Sequence, residues 1–244
     1  MKELEKGKLS IIGTGFYITR YGLFLTAEHV LSDLMDSKRN FVKTSFICHQ
    51  GENETVHLRR IRAINLFGGA DIGVGQADNY TEKYPNNPLM NMRARLSSKI
   101  LRENDPLVTY AYPENKILDF TQQEYSPVVR SDYYEGVCLK YVTDSEHPFI
   151  PYPHFETNIK IKSGASGGPV FYKGKVIGIN CRGWDFGDNE DDLSYVVPMS
   201  LGLVMKVGGM QVPEISWENQ QIPESVRDTK LTINDLIRFG HVQV

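Results

Sequence analysis

What most constrains this chain is a succession of short apolar or alternating runs, each bounded by Gly, Asn, Asp or Pro. "LSIIGTGFYIT", "YGLFLTA", "FVKTSFICHQ" and "ETVHLRRIRAINL" come first, then "DPLVTYAYP", "YEGVCLKYVT", "PVFYKGKVIGINC" and "LSYVVPMS". Segments of strand length, rich in β-branched and aromatic residues, predict an all-β fold. Lys173-Gly174 in "FYKGKVIG" marks a hairpin turn. Helical periodicity is confined to "EHVLSDLMDS" and to "TINDLIRFG", a short amphipathic helix stopped by Gly240.

The 244 residues leave room for one large β domain or two small ones. Residues 78–105 are polar and weakly patterned, and read either as the connection between two β-rich halves or as a long surface loop. The expected division is residues 1–90, residues 91–205, and a tail of residues 206–244 that ends in the short helix. Lys and Arg total 27 against 30 Asp and Glu, so no basic footprint for nucleic acid is expected. The charged N-terminus has no signal-like apolar stretch, and no run reaches the roughly 20 apolar residues that span a bilayer. A cytoplasmic protein without membrane contact is expected. Three scattered cysteines, Cys48, Cys138 and Cys181, fit free buried thiols in a reducing compartment. Cys48, His49 and His57 match no zinc spacing, and no metal or cofactor is expected.

The chemistry concentrates in "IKSGASGGPVFY", where Ser166 sits among glycines. A phosphate loop would need Lys-Ser/Thr opening a helix, whereas Pro169 and strand residues follow here. A plain glycine-rich turn remains one reading. As a nucleophile, Ser166 needs a base and an acid that orients that base. The pattern Gly164-x-Ser166-x-Gly168 also satisfies a nucleophile elbow, but that fold needs a helix after the serine and a downstream histidine. His241 is the only histidine in that position. The order His, Asp, Ser fits better. His29 ends an apolar run in "LFLTAEHVL", with the small Ala27 two positions before it. Asp71 lies in "GGADIGVGQAD", where apolar residues alternate with glycine.

Thr26-Ala27-x-His29, Ala70-Asp71-Ile72-x-Val74 and Gly164-Ala165-Ser166-Gly167-Gly168-Pro169-Val170 resemble the three catalytic motifs of trypsin-like serine peptidases. The flavour is that of the bacterial HtrA/Deg-type branch, since "GKVIGIN" and "SYVVPMS" parallel the hairpin and last strand that follow its serine loop. The resemblance covers about residues 10–203 and implies two six-stranded antiparallel β-barrels, chymotrypsin-like, with a short helical C-terminal tail. The first barrel, within 1–90, would carry His29 and Asp71; the second, within 91–205, would carry Ser166. It further implies a serine endopeptidase in which Ser166 attacks, His29 serves as base and acid, and Asp71 orients His29. Gly164 and Ser166 would supply the oxyanion N–H groups. Cys181, Arg182 and Gly183 would lie along the strand that pairs with substrate.

Lys160, Lys162 and Arg182 would favour an acidic or small P1 residue, unless strand alternation points both lysines to solvent. Val30 stands where many secreted relatives have a disulfide cysteine, and Ala165 stands where those activated by a cut N-terminus keep an acid. The tail is too short for the PDZ domain usual in the HtrA branch. Together these imply one or a few specific protein substrates, control through loop ordering or a regulatory protein partner, and a bacterial stress or anti-phage setting. The alternative is a latent or inactive trypsin-like module that holds a protein partner through its cleft or tail. The "TINDLIRFG" helix would either pack on the second barrel or dock a partner subunit.

Overall fold

A computed structural model describes residues 2–5, 8–20, 22–38, 40–41, 45–50, 56–78, 91–112, 117–119, 131–144, 148–184, 193–207 and 231–244. Strands β1 (Lys2–Glu5), β2 (Lys8–Ser10), β3 (Phe16–Tyr17) and β4 (Leu23–Thr26) precede a one-turn helix, α1 (Glu28–Ser32). Then come β5 (Phe46–Gln50), β6 (Val56–Phe67) and β7 (Ile72–Ala77). The second half holds β8 (Pro106–Ala111), β9 (Ile117–Asp119), β10 (Asp132–Val142), β11 (His154–Thr157), β12 (Pro169–Tyr172), β13 (Lys175–Trp184) and β14 (Leu193–Pro198). Helices α2 (Met199–Gly202) and α3 (Ile233–Arg238) complete the described elements.

Strands β10, β11, β14, β13, β12 and β8 close, in that order, into an antiparallel barrel. Alternation sets its interior. Leu107, Thr109 and Ala111 of β8 are buried, while Pro106 and Tyr110 face out. Leu107, Cys138, Phe155, Val170 and Val196 share its core, where each large apolar side chain contributes about 1.5–3 kcal/mol. Two polar side chains inside bond to each other: Thr109 Oγ1 donates to the Pro169 carbonyl at 2.8 Å and accepts from Asn180 Nδ2 at 2.6 Å.

The described residues of the first half do not close the barrel expected there. They form an open five-stranded sheet, β3-β4-β7-β6-β5, beside a three-stranded sheet, β1-β2-β9. Strand β2 spends its two edges on β1 and β9, so it cannot bridge β3 and β5. Leu9 and Ile11 pack against Phe46, Cys48, Leu58 and Tyr112 instead.

Strand β7 lies between β4 and β6 and is buried along its whole length. A Cβ on Gly73 would stand 2.6 Å from Leu31 Cδ1. The bare backbone at Gly73 lets α1 lie directly on β7, which fixes the spacing between the residues that precede β7 and those of α1.

Residues 91–97 cross between the halves. The Ala94 N–H donates to the Tyr17 carbonyl at 2.9 Å, and Ser97 N–H to the Val176 carbonyl at 2.9 Å. The described end of the tail, residues 231–242, is woven into the same core. Leu231, Ile233, Leu236 and Val242 share one cluster with Ile18, Leu25 and Ile72 of the first sheet and Val176, Ile179 and Val197 of the barrel. Helix α3 starts in a capping box. Thr232 Oγ1 accepts from the Asp235 N–H, and Asp235 Oδ2 accepts from the Thr232 N–H. Gly240, at φ +77°, follows its end. No helix among the described residues is long and apolar enough to cross a membrane.

Candidate active site

Strand β4 ends at Thr26, and α1 begins two residues later with no side-chain cap of its own. The first N–H groups of a helix lack internal acceptors, and here Asp71 supplies one. Its Oδ1 accepts the His29 backbone N–H at 2.9 Å, and its Oδ2 meets His29 Nδ1 at 2.7 Å. A carboxylate only accepts, so Nδ1 carries the proton and Nε2 keeps its lone pair. The Asp71 side chain is 12% exposed and that of His29 50%. Burial pulls the Asp71 carboxyl up, but its bonds to His29 and to Cys181 outweigh that and hold it below the usual carboxylate range. The acid is charged at neutral pH, and the imidazole faces the cleft.

Ser166 is set by two consecutive turns. The Ala165 N–H returns to the Lys162 carbonyl at 3.0 Å, and the Gly168 N–H to the Ala165 carbonyl at 3.0 Å. The third residue of each turn is a glycine with positive φ, Gly164 at +93° and Gly167 at +85°. That is the signature of type II turns, which a side chain at the third position would strain. Among the described residues, the N–H groups of Gly164 and Ser166 donate to nothing. Two unused backbone donors therefore flank the serine.

Two threonines clamp this loop onto the first half. The Thr14 N–H donates to the Ser166 carbonyl at 2.8 Å, and Thr14 Oγ1 donates to the Gly164 carbonyl at 2.8 Å. Thr26 Oγ1 donates to the Thr14 carbonyl at 2.5 Å. Thr14 was legible only as part of "GTG", with no spacing to mark it; nor did anything mark Tyr152, which lies against Cys181.

Ser166 Oγ donates to the Cys181 carbonyl at 3.3 Å, and no hydrogen bond joins it to His29. The Cys181 side chain turns inward from its strand. It is buried, with Sγ donating to Asp71 Oδ2 at 2.9 Å and meeting the Tyr152 hydroxyl at 3.0 Å. Only its carbonyl faces the serine. Burial and the neighbouring Asp71 charge push the Cys181 thiol far above its ordinary value.

Arg182 lies with its guanidinium 5.3 Å from the centre of the Phe149 ring, on the wall of an open cleft shared with His29, Asp71 and Tyr152. A Cβ on Gly183 would stand 2.7 Å from Ile161 Cγ1, so Ile161 lies directly across from it. Lys160 and Lys162 are exposed, and Lys162 contributes its carbonyl to the first turn. His241 follows α3, where its carbonyl accepts from Arg93 Nη1 at 3.0 Å. Strand β12 follows Ser166 where an elbow fold needs a helix, so the α/β-hydrolase reading fails on the fold.

Among curated protein sequences none matches the chain. The crystal structure of Deg5 superposes with a TM-score of 0.55 at 18% identity, over 79% of this chain and 81% of that one. An HtrA-type protease, AlgW, with a decapeptide gives a TM-score of 0.53 at 16% identity, over 78% of this chain. This chain spans about half the length of AlgW, 48%. Likeness at those identities speaks to fold. The model of the trypsin-like peptidase domain matches residues 13–179, a span that holds His29, Asp71 and Ser166. The chain belongs to the trypsin-like peptidase family and is a serine endopeptidase.

Proposed function

We propose that the chain cleaves peptide bonds through a triad of Ser166, His29 and Asp71. The observation that carries this is the two-point grip of Asp71 on His29, which leaves Nε2 basic toward the cleft. Ser166 Oγ turns from the Cys181 carbonyl toward Nε2, gives it the proton and forms a bond to the substrate carbonyl carbon. The oxyanion falls to the unused N–H groups of Gly164 and Ser166. His29 then protonates the leaving amine as the C–N bond breaks, and water releases the acyl group through the same base.

Substrate is held by strand addition. The β12 ladder on β13 ends at Pro169↔Ile179, and residues 181–183 run on past the serine. The P1 side chain enters beside Ser166, where Ile161 lying across from Gly183 makes the slot narrow and apolar. A small apolar P1 residue fits that shape. Substrates are one or a few proteins with such a residue in an extended segment. The free thiols Cys48, Cys138 and Cys181 support a reducing compartment such as a bacterial cytoplasm. A stress or anti-phage role is an extension of the family resemblance alone.

One observation favours a second reading, a latent form that a regulatory partner switches on: the Ser166 hydroxyl rests on Cys181 rather than on His29. Rate of labelling by a fluorophosphonate probe separates the two. Under the triad reading, wild type labels and Ser166→Ala does not. His29→Ala and Asp71→Asn should slow labelling by about 10³–10⁴. A wild type that stays silent while folded favours the latent form. Labelling that survives His29→Ala overturns the triad.

A further inference from the structure

We propose that Tyr152 is a positioning residue of this peptidase site, acting through the Cys181 thiol on Asp71. The proposal rests on the triad reading above and extends it one residue outward. Asp71 Oδ2 meets both His29 Nδ1 at 2.7 Å and Cys181 Sγ at 2.9 Å. A thiol has one proton, and a carboxylate has none to give, so the Sγ proton lies toward Asp71. The Tyr152 hydroxyl stands 3.0 Å from the same sulfur. With the thiol proton already used, that contact has one arrangement: the tyrosine O–H donates and the sulfur accepts. The order is therefore Tyr152 O–H to Sγ, and Sγ–H to Asp71 Oδ2, with every proton pointing at the acid.

Such a relay matters because of the sulfur. A thiol is a weak donor and turns easily about its Cα–Cβ bond, so it orients a carboxylate poorly by itself. A hydroxyl donated to its lone pair fixes the rotor and polarises the S–H. Burial and the Asp71 charge keep the thiol protonated, and burial together with Cys181 does the same for the tyrosine. Neither group competes with the carboxylate for charge. Tyr152 is itself anchored, because its carbonyl accepts from Nδ1 of the buried His154 at 2.9 Å. The hydroxyl is thus held from the barrel side, two residues before β11, while Asp71 directly precedes β7 of the first sheet. Tyr152 ties the acid of one half to the framework of the other.

The test is a double-substitution cycle read by the second-order rate of fluorophosphonate labelling of the full chain, below the lowest Tm of the set. Tyr152→Phe keeps the ring and removes only the O–H. It should slow labelling about five- to tenfold, the worth of one hydrogen bond. Cys181→Ala should slow it at least as much, and Cys181→Ser should restore what the alanine loses, since a hydroxyl donates to Asp71 unaided. Tyr152→Phe added to Cys181→Ala should cost nothing more. Should the alanine variant fail to fold, the serine background carries the same test, with Tyr152→Phe costing less there than in wild type. If Tyr152→Phe leaves wild-type labelling unchanged, or costs the same factor in every background, the relay is wrong. Labelling that persists in His29→Ala would instead fell the triad reading beneath it.

Discussion

The barrel and the open sheet contribute to one site, yet they are built to different degrees of closure. Every barrel strand has ladder neighbours on both sides, so no edge is left unpaired. The first sheet has β3, two residues long, at one edge and β5 at the other, and Leu9 and Ile11 pack against the β5 side. Ser166 comes from the closed body. His29 and Asp71 come from the open one, on a five-residue helix and a turn. What the contrast teaches is that the serine loop can be rigid by itself, whereas the distance from Ser166 to His29 depends on whatever ties the halves together. Two such ties stand out: the threonine clamp on the serine loop and the tail.

Substitution of Gly167 by alanine should break the first tie most severely. Its Cβ would stand 2.0 Å from Thr26 Oγ1 and 2.2 Å from the Thr14 carbonyl, at φ +85°. One of those atoms is backbone and cannot swing aside. We expect a loss of more than about 3 kcal/mol from overpacking and strain, seen as a fall in Tm of about 6 °C or more. An unchanged Tm would mean that the halves are not held at this loop.

Leu236→Ala tests the second tie. Leu236 is fully buried in the cluster that both halves share, so truncation should cost about 2–5 kcal/mol. Calorimetry sharpens the comparison. If the tail braces both halves, a single transition moves down as a unit. If it braces the barrel alone, the first sheet melts at its old temperature and a second transition appears.

How far the sequence reveals this arrangement differs between the two halves for the same reason. Glycines carry the serine loop, and glycine at a positive φ leaves a mark in any sequence, so the Gly164–Pro169 stretch was readable. The hairpin at Lys173-Gly174 was readable on similar grounds; both residues have positive φ. The alternation "DIGVGQAD" was visible, and its cause is packing: Gly73 leaves room for Leu31. How the first half closes was not legible, because β2 reads as a strand whichever partner it takes, and pairing with β9 is a choice made across more than a hundred residues. The side-chain direction of Cys181 was not legible either. The strand shifts register between Asn180 and Arg182, and simple alternation cannot foresee such a bulge. Tyr152 carried no signal, since its partner is a thiol 29 residues away.

A smaller effect should come from the start of α3. Thr232 and Asp235 form its capping box, and Thr232→Ala should cost about 1 kcal/mol. Thr232→Ser keeps the hydroxyl and should recover most of it. Measured in urea, both variants should keep the wild-type m-value if the tail unfolds together with the core. A lower m-value in the alanine variant would show the tail leaving first, and the bracing of the two halves would then be weaker than the shared cluster implies.

The mildest test uses pH in place of substitution. Burial and the Arg93 cation hold the pKa of His241 below the usual histidine value. An unfolded chain therefore takes up that proton before the folded one does as the medium is acidified. The stability tied to a neutral His241 is present above the ordinary histidine pKa of about 6.5, and is lost as pH falls through the lower folded value. Asp71 has the same sign but a lower window, since its contribution is present above the usual carboxylate pKa and is lost below its depressed folded value. Tm should then decline in two separate stages, with the histidine stage first. His241→Gln should flatten the first stage and leave the second in place. Parallel curves for the two proteins would mean that acid reaches the tie between the halves only through the carboxylates, and that the tail holds as long as the site does.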